Sequence, residues 1–123
     1  MAKKILIVDD DLYIRELYEE VLKDAGYDVS TASDGEEGLA KISEGGFDLV
    51  LLDVMMPKVD GLGVLQQTSK NPPKTKNGQI ILLTNLSHDP IIKDALENGA
   101  ASYLIKADLT PDQLTDKVKD FLK

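Results

Sequence analysis

Four short apolar runs in this chain are each followed at once by side chains able to do chemistry. Residues 5–8 lead into Asp9, Asp10 and Asp11; residues 49–52 into Asp53; residues 80–83 into Thr84; and residues 103–105 into Lys106. If the runs are neighbouring strands, several carboxylates, one hydroxyl and one ammonium meet in one crevice. Carboxylates crowded together repel, and each has its pKa raised unless a cation sits among them. A hard, oxygen-preferring divalent ion answers that crowding. Mg²⁺ fits best, being held by one or two carboxylates plus waters and phosphate oxygens. Lys106 adds a fixed positive charge and Thr84 a donor, which is what the equatorial oxygens of a transferring phosphoryl group require. Asp53 is then the expected nucleophile, forming an aspartyl phosphate. Singly, each has a plainer reading: Asp11 as a helix N-cap, Thr84 as a strand end, Lys106 as a solvated charge. The conjunction carries the argument.

Positioning these side chains requires a particular order of elements. Residues 5–8, 49–52, 80–83 and 103–105 are nearly continuous in hydrophobicity, as strands covered on both faces should be. Residues 27–32 alternate instead and are expected as an edge strand. Between the runs lie segments of helical period. In the first, Ile14, Leu17, Tyr18, Val21, Leu22 and Ala25 share one face, ending at Gly26, where a left-handed residue is expected. Asp34 and Glu37 have capping-box spacing for a second helix, ended by Gly45 and Gly46. A third spans about 60–69. The fourth starts near Ser87, with Pro90 in its first turn, and stops before Gly99. The last opens on Thr110, Pro111 and Gln113, a further capping box, and runs to the C-terminus.

Five β-α units in alternation predict an α/β domain: a parallel sheet wound on both faces by five helices. In such a sheet ligands bind beyond the carboxyl ends of the strands, where the reactive residues fall. One domain, 1–123, is expected, with no repeat or linker. Residues 70–78 (KNPPKTKNG) are too polar and Pro-rich for either element and are expected as a solvated surface loop.

Composition narrows the class. The chain has 123 residues with 22 acidic against 14 basic, a net charge of −8, which argues against direct nucleic-acid binding or an anionic membrane as partner. It has no cysteine, which removes disulfides and thiol nucleophiles, and its single histidine, His88, cannot build a His-rich metal site. His88 is expected in a helix first turn without a catalytic role. No apolar run approaches the ~20 residues that span a bilayer, and the N-terminus is no signal peptide. A cytoplasmic protein is expected. Gly61 and Gly63 are too closely spaced for a dinucleotide fingerprint.

At these residues the chain resembles the receiver domain of bacterial two-component response regulators. The resemblance covers essentially the whole chain and rests on Ile7-Val8-Asp9-Asp10, Asp53-Val54-Met55-Met56-Pro57, Asp60-Gly61, Thr84, Gly99-Ala100, Tyr103 and Lys106. It implies a flavodoxin-like sheet of order 2-1-3-4-5. It also implies phosphorylation of Asp53 by a histidine kinase or histidine phosphotransfer protein. Asp10, Asp53 and the backbone carbonyl of Met55 would hold Mg²⁺ (Mn²⁺ as substitute), with Asp9 acting directly or through water. Lys106 and Thr84 would bind phosphoryl oxygens. Tyr103 would be an aromatic switch, turning inward as Thr84 moves and changing the face of helix 4, strand 5 and helix 5 for a downstream protein effector. Beyond its own phosphorylation and dephosphorylation, the protein would not be an enzyme.

Departures from the family pattern carry expectations of their own. Ala107 stands where the family usually has Pro, often after a cis peptide; a non-Pro cis bond costs ~3 kcal/mol, so that geometry is not guaranteed. Asn85 is larger than the family's usual small residue and narrows access. Met55 and Leu86, two positions beyond Asp53 and Thr84, cannot orient an attacking water, so self-dephosphorylation should be slow. The donor protein should approach Asp53 near Leu12, Arg15 and the loop after Asp53. A monomer or a phosphorylation-dependent dimer is expected. The N-terminal MAKK reads as a natural start, and the chain as either a stand-alone receiver or a piece of a longer protein. Three other readings remain: an interaction module of the same fold that signals without phosphorylation, a metal-dependent phosphohydrolase, and a flavin-binding protein. The phosphohydrolase would need a general acid or base and a substrate cap, and the sequence has no cap insertion. The flavin reading meets acids where phosphate needs donors.

Overall fold

Each apolar run becomes a strand and each periodic segment a helix. A computed structural model describes residues 2–56, 58–85 and 90–123. The strands are β1 (Lys4–Val8), β2 (Asp28–Ala32), β3 (Leu49–Asp53), β4 (Gln79–Thr84) and β5 (Ser102–Ile105). They form one parallel sheet of order β2-β1-β3-β4-β5. Among the described residues the helices are α1 (Leu12–Asp24), α2 (Gly35–Glu44), α3 (Gly61–Lys70), α4 (Pro90–Glu97) and α5 (Pro111–Phe121), with a 3-10 turn at Lys106–Asp108. The expected start of the fourth helix at Ser87 lies outside the described residues, as do His88 and Leu86. Within them, no helix is long and apolar enough to cross a membrane.

Strand side chains alternate between two cores. Leu6, Val8, Val50, Leu52 and Leu82 face one way, against Ile42 of α2, Val64 and Leu65 of α3 and Ala95 of α4. Ile5, Ile7, Leu49, Leu51, Ile81 and Leu83 face the other, against Tyr18 and Leu22 of α1 and Leu114 and Val118 of α5. Both faces of the central strands are covered, which is why those runs lack polar alternation. β2 stands at the edge, as its alternating sequence requires. Its Ala32 carbonyl accepts from Asp9 N (3.1 Å), so the neighbouring Thr31 carbonyl faces outward, where Lys41 Nζ donates to it.

The helix ends follow local chemistry. Asp11, Asp34 and Asp60 accept hydrogen bonds from Ile14, Glu37 and Gly63 N–H groups at 3.2, 2.8 and 2.8 Å. Gly26 holds φ 98° after α1, the left-handed value its position demanded. Thr110 and Gln113 form a reciprocal capping box. The box expected at Asp34 and Glu37 is only half formed, because the Glu37 carboxylate accepts from Ser33 N and Oγ instead. The segment expected as a solvated loop also differs. Lys70 completes α3, and the rest is pinned to the α2–β3 connection. Lys74 and Thr75 N–H groups donate to Ser43 and Glu44 carbonyls, and Asn77 bridges Ile42 O and Phe47 N. Side-chain polarity predicted exposure correctly and said nothing of these backbone ties.

Gly61, the first residue of α3, sits against the end of β3. A Cβ there would lie 2.6 Å from the Asp53 carbonyl oxygen, and its N–H donates to Val54 O at 2.9 Å. Gly61→Ala should therefore destabilise the fold by about 1–3 kcal/mol in urea unfolding, despite the better helix propensity of alanine. An unchanged midpoint would show that α3 can withdraw from β3 without cost.

Candidate functional site

Register decides which side chains meet. Val8 pairs with Leu52, and Asp53 with Leu83, so Asp9 and Asp53 leave their strands at one level. Thr84 pairs with Ile105, placing Lys106 one step beyond. The strands thus deliver these side chains to a cleft of about 450 Å³ lined by Asp10, Asp11, Asp53, Val54, Met55, Thr84, Asn85 and Lys106. Asp9 lies buried beneath it.

Lys106 Nζ stands between two carboxylates, 2.8 Å from Asp9 Oδ2 and 3.1 Å from Asp53 Oδ1. Asp9 Oδ1 accepts from Asp11 N at 2.9 Å, and beyond its ion pair Asp9 Oδ2 accepts no hydrogen bond. Asp53, 5% exposed, takes a long hydrogen bond on Oδ1 from Met55 N at 3.4 Å. Its other oxygen, Oδ2, has no hydrogen bond or ion pair to the described residues. Thr84 is buried at the cleft wall, and Asn85 is exposed beside it. The Lys106–Ala107 peptide is trans, and the lysine reaches both acids from it.

One ammonium does not balance three acids. Carboxylate oxygens of Asp9, Asp10 and Asp53 lie within 4.8 Å of one another. The Asp53 carboxyl is pushed up to about 7, first by burial and then by the Asp9 charge, against the pull of Lys106 and the Met55 amide. Burial alone would lower the Lys106 ammonium, but its pairing with Asp9 and Asp53 outweighs this and holds it above its ordinary range. A hard divalent cation fits such an all-oxygen, over-negative donor set. Of the three consecutive acids, Asp11 caps α1 and Asp9 pairs with Lys106; Asp10 is exposed in the cleft.

The remaining expected residues fall in different places. Leu12, on α1, is exposed, as is its neighbour Tyr13. Tyr13 falls outside the apolar face of α1 in the sequence, yet the expectation named Leu12 and Arg15 without it. Arg15 is half-buried, with Nη1 2.8 Å from the backbone oxygen of Asp9, an internal contact that helical spacing does not reveal. Tyr103 stands exposed on edge strand β5, paired with Leu82 two positions before the Thr84–Ile105 pair, and lines a separate groove with Leu109 and Gln113. Lys58 holds a left-handed conformation (φ 69°) between β3 and α3, its Nζ 3.4 Å from Asp34 Oδ2 and 3.8 Å from Glu36 Oε2. No local signal in the sequence pairs Lys58 with α2.

The raised Asp53 has a consequence for metal-free protein. Between about pH 4, where the unfolded carboxyl titrates, and about pH 7, the folded state keeps a proton that the unfolded chain has released. Stability should therefore fall as pH rises through that window. Urea unfolding in chelator at about pH 4.5 and about pH 7.5 should show the decline, and Asp53→Asn should remove most of it. The same decline in the variant would locate the titration elsewhere.

Comparison with known proteins agrees with this geometry. Residues 5–119 match the response regulator receiver domain family. The probable transcriptional regulator ycf27 of Cyanophora paradoxa is 41% identical over 121 residues, which is 98% of this chain and 48% of that protein. The chain thus spans about half the length of the ycf27 relatives it matches. A CheY-like response regulator receiver domain protein from Methanospirillum hungatei JF-1 has TM-score 0.87 at 34% identity, covering 99% of this chain and 94% of that one. Response regulator TrrA of Thermotoga maritima, solved in complex with Mg(2+)-BeF, has TM-score 0.77 at 41% identity, covering 98% and 99%. Family match, sheet order and the residues at the strand ends agree: this chain belongs to the response regulator receiver domain family of two-component systems.

Proposed function

We propose that the chain is a phosphoacceptor: Asp53 takes a phosphoryl group from a phosphohistidine of a histidine kinase or histidine phosphotransfer protein. The observation that carries this reading is the division of labour on Asp53. Oδ1 is engaged by Lys106 and the Met55 amide, while Oδ2 has neither contact. Oδ2 is the nucleophile. It attacks phosphorus as the bond to the donor imidazole breaks, and the bonding pair leaves with the nitrogen. Lys106 then serves the phosphoryl oxygens from its place beside Asp53, and the Thr84 hydroxyl, buried at the wall, donates to another. Asp10, Asp53 and the Met55 carbonyl hold Mg²⁺, which supplies charge neutralisation at the transferring group. The Mg(2+)-BeF complex of TrrA supports that choice of ion. Asp9 anchors the lysine and contributes to the cation directly or through water.

The added charge biases Thr84 inward and Tyr103 with it, altering the face of α4, β5 and α5 for a downstream effector. Leu12 and Tyr13 on α1 and Met55 beyond β3, 57%, 72% and 69% exposed, supply apolar contact for the donor near the acceptor. The protein turns over no separate substrate. The net charge of −8 disfavours direct nucleic-acid binding by this domain, which supports a protein contact as its output.

Incubation with Mg²⁺ and acetyl phosphate should add one phosphoryl group by intact-protein mass spectrometry. The adduct should be absent from Asp53→Asn and in chelator. No adduct in folded wild-type protein, even with a panel of kinases, would favour an interaction module that signals without phosphorylation. The adduct should also be long-lived, because the Met55 thioether cannot orient water. Met55→Asn, alone or with Leu86→Glu, should shorten its lifetime several-fold in a decay time course, and unchanged decay would reject that cause.

A further inference from the structure

We propose that Arg15 is a positioning residue for the cation site rather than a contact for the donor protein. The inference rests on the cation reading of Asp9, Asp10 and Asp53. Asp9 is held at every polar group: its N–H donates to Ala32 O (3.1 Å), Oδ1 accepts from Asp11 N (2.9 Å), and Oδ2 pairs with Lys106 (2.8 Å). Its carbonyl, just past the end of β1, is held by Arg15 Nη1 at 2.8 Å. That last bond matters most for the neighbour. A peptide is a rigid plane, so fixing the Asp9 carbonyl fixes the direction in which the chain enters Asp10.

Asp10 is exposed and lines the cleft, and its carboxylate lies within 4.8 Å of the other two acids. Arg15 also anchors the far side of the turn, its own N–H donating to Asp11 O at 2.9 Å. One residue of α1 thereby ties both ends of the Asp9–Asp11 segment, its side chain at Asp9 and its backbone at Asp11. Arginine suits the task because its guanidinium stays charged and presents several donors in a fixed plane. Groups that hold a ligand in place from behind typically change metal affinity when removed, although they never touch the ion.

Charge and position predict opposite signs. A cation near the site repels a second cation, so deleting the guanidinium on electrostatic grounds alone should tighten Mg²⁺ binding. Deleting a positioning contact should weaken it.

The test is isothermal titration of Mg²⁺ into wild type, Arg15→Met, Arg15→Gln and Arg15→Lys. Both neutral variants should bind Mg²⁺ about tenfold more weakly, with Arg15→Lys recovering most of the loss through its remaining donor. Arg15→Gln decides the matter if Arg15→Met does not fold. In metal-free protein, exchange of the Asp11 amide, which is held by Asp9 Oδ1, should quicken in the neutral variants. Wild-type affinity or tighter binding in a folded neutral variant overturns the inference, all the more if transfer from a phosphohistidine donor falls while acetyl phosphate still works. Failure of the wild type to bind Mg²⁺ would instead reject the cation reading, and the inference with it.

Discussion

Three carboxylates and one ammonium share a space of a few ångströms, and much of the structure is organised around that imbalance. Lys106 spans Asp9 and Asp53, which removes the worst of the repulsion and leaves a surplus of negative charge on the cleft side. Burial raises the cost of that surplus, because ions in a low-dielectric wall lose hydration. A fold that keeps such a cluster holds part of its free energy in reserve for a ligand that neutralises it. The proposed cation binding and the proposed phosphoryl transfer would both draw on that one electrostatic state.

The sheet makes the imbalance reproducible. Parallel pairing with β1 and β4 flanking β3 sets Asp9 beside Asp53, and β5 beside β4 places Lys106 just past that level, from where its side chain reaches both acids. A slip of one residue in any strand would send its whole apolar set to the wrong core. The two cores therefore guard the register, and the register guards the site. Gly61 extends this control beyond the sheet, since its missing Cβ lets α3 begin in contact with the Asp53 carbonyl.

Much of this was legible in the residues. Continuous apolar runs marked the buried strands, and the alternation of residues 27–32 marked β2 as an edge. Placing acids, Thr84 and Lys106 after those runs was enough to assemble the cleft. What could not be read were contacts made by long polar side chains across sequence: Arg15 to the Asp9 carbonyl, Lys58 to Asp34, Asn77 to the α2–β3 connection. Such groups obey no period, and the same sequence is compatible with solvation. The half-formed capping box at α2 is a similar case, because Ser33 takes the Glu37 carboxylate with its own N–H and hydroxyl. The residue resemblance supplied the strand order, which alternation alone leaves open.

Lys41 has a role that belongs to neither core nor cleft. By taking up the outward Thr31 carbonyl it occupies an acceptor on the open margin of β2 and places an ammonium there. A stray strand approaching that margin would have to displace the ammonium and tolerate its charge, which disfavours sheet extension from one molecule to the next. Crowded in a cell or concentrated in a tube, such a protein is guarded on that side against growing into fibres.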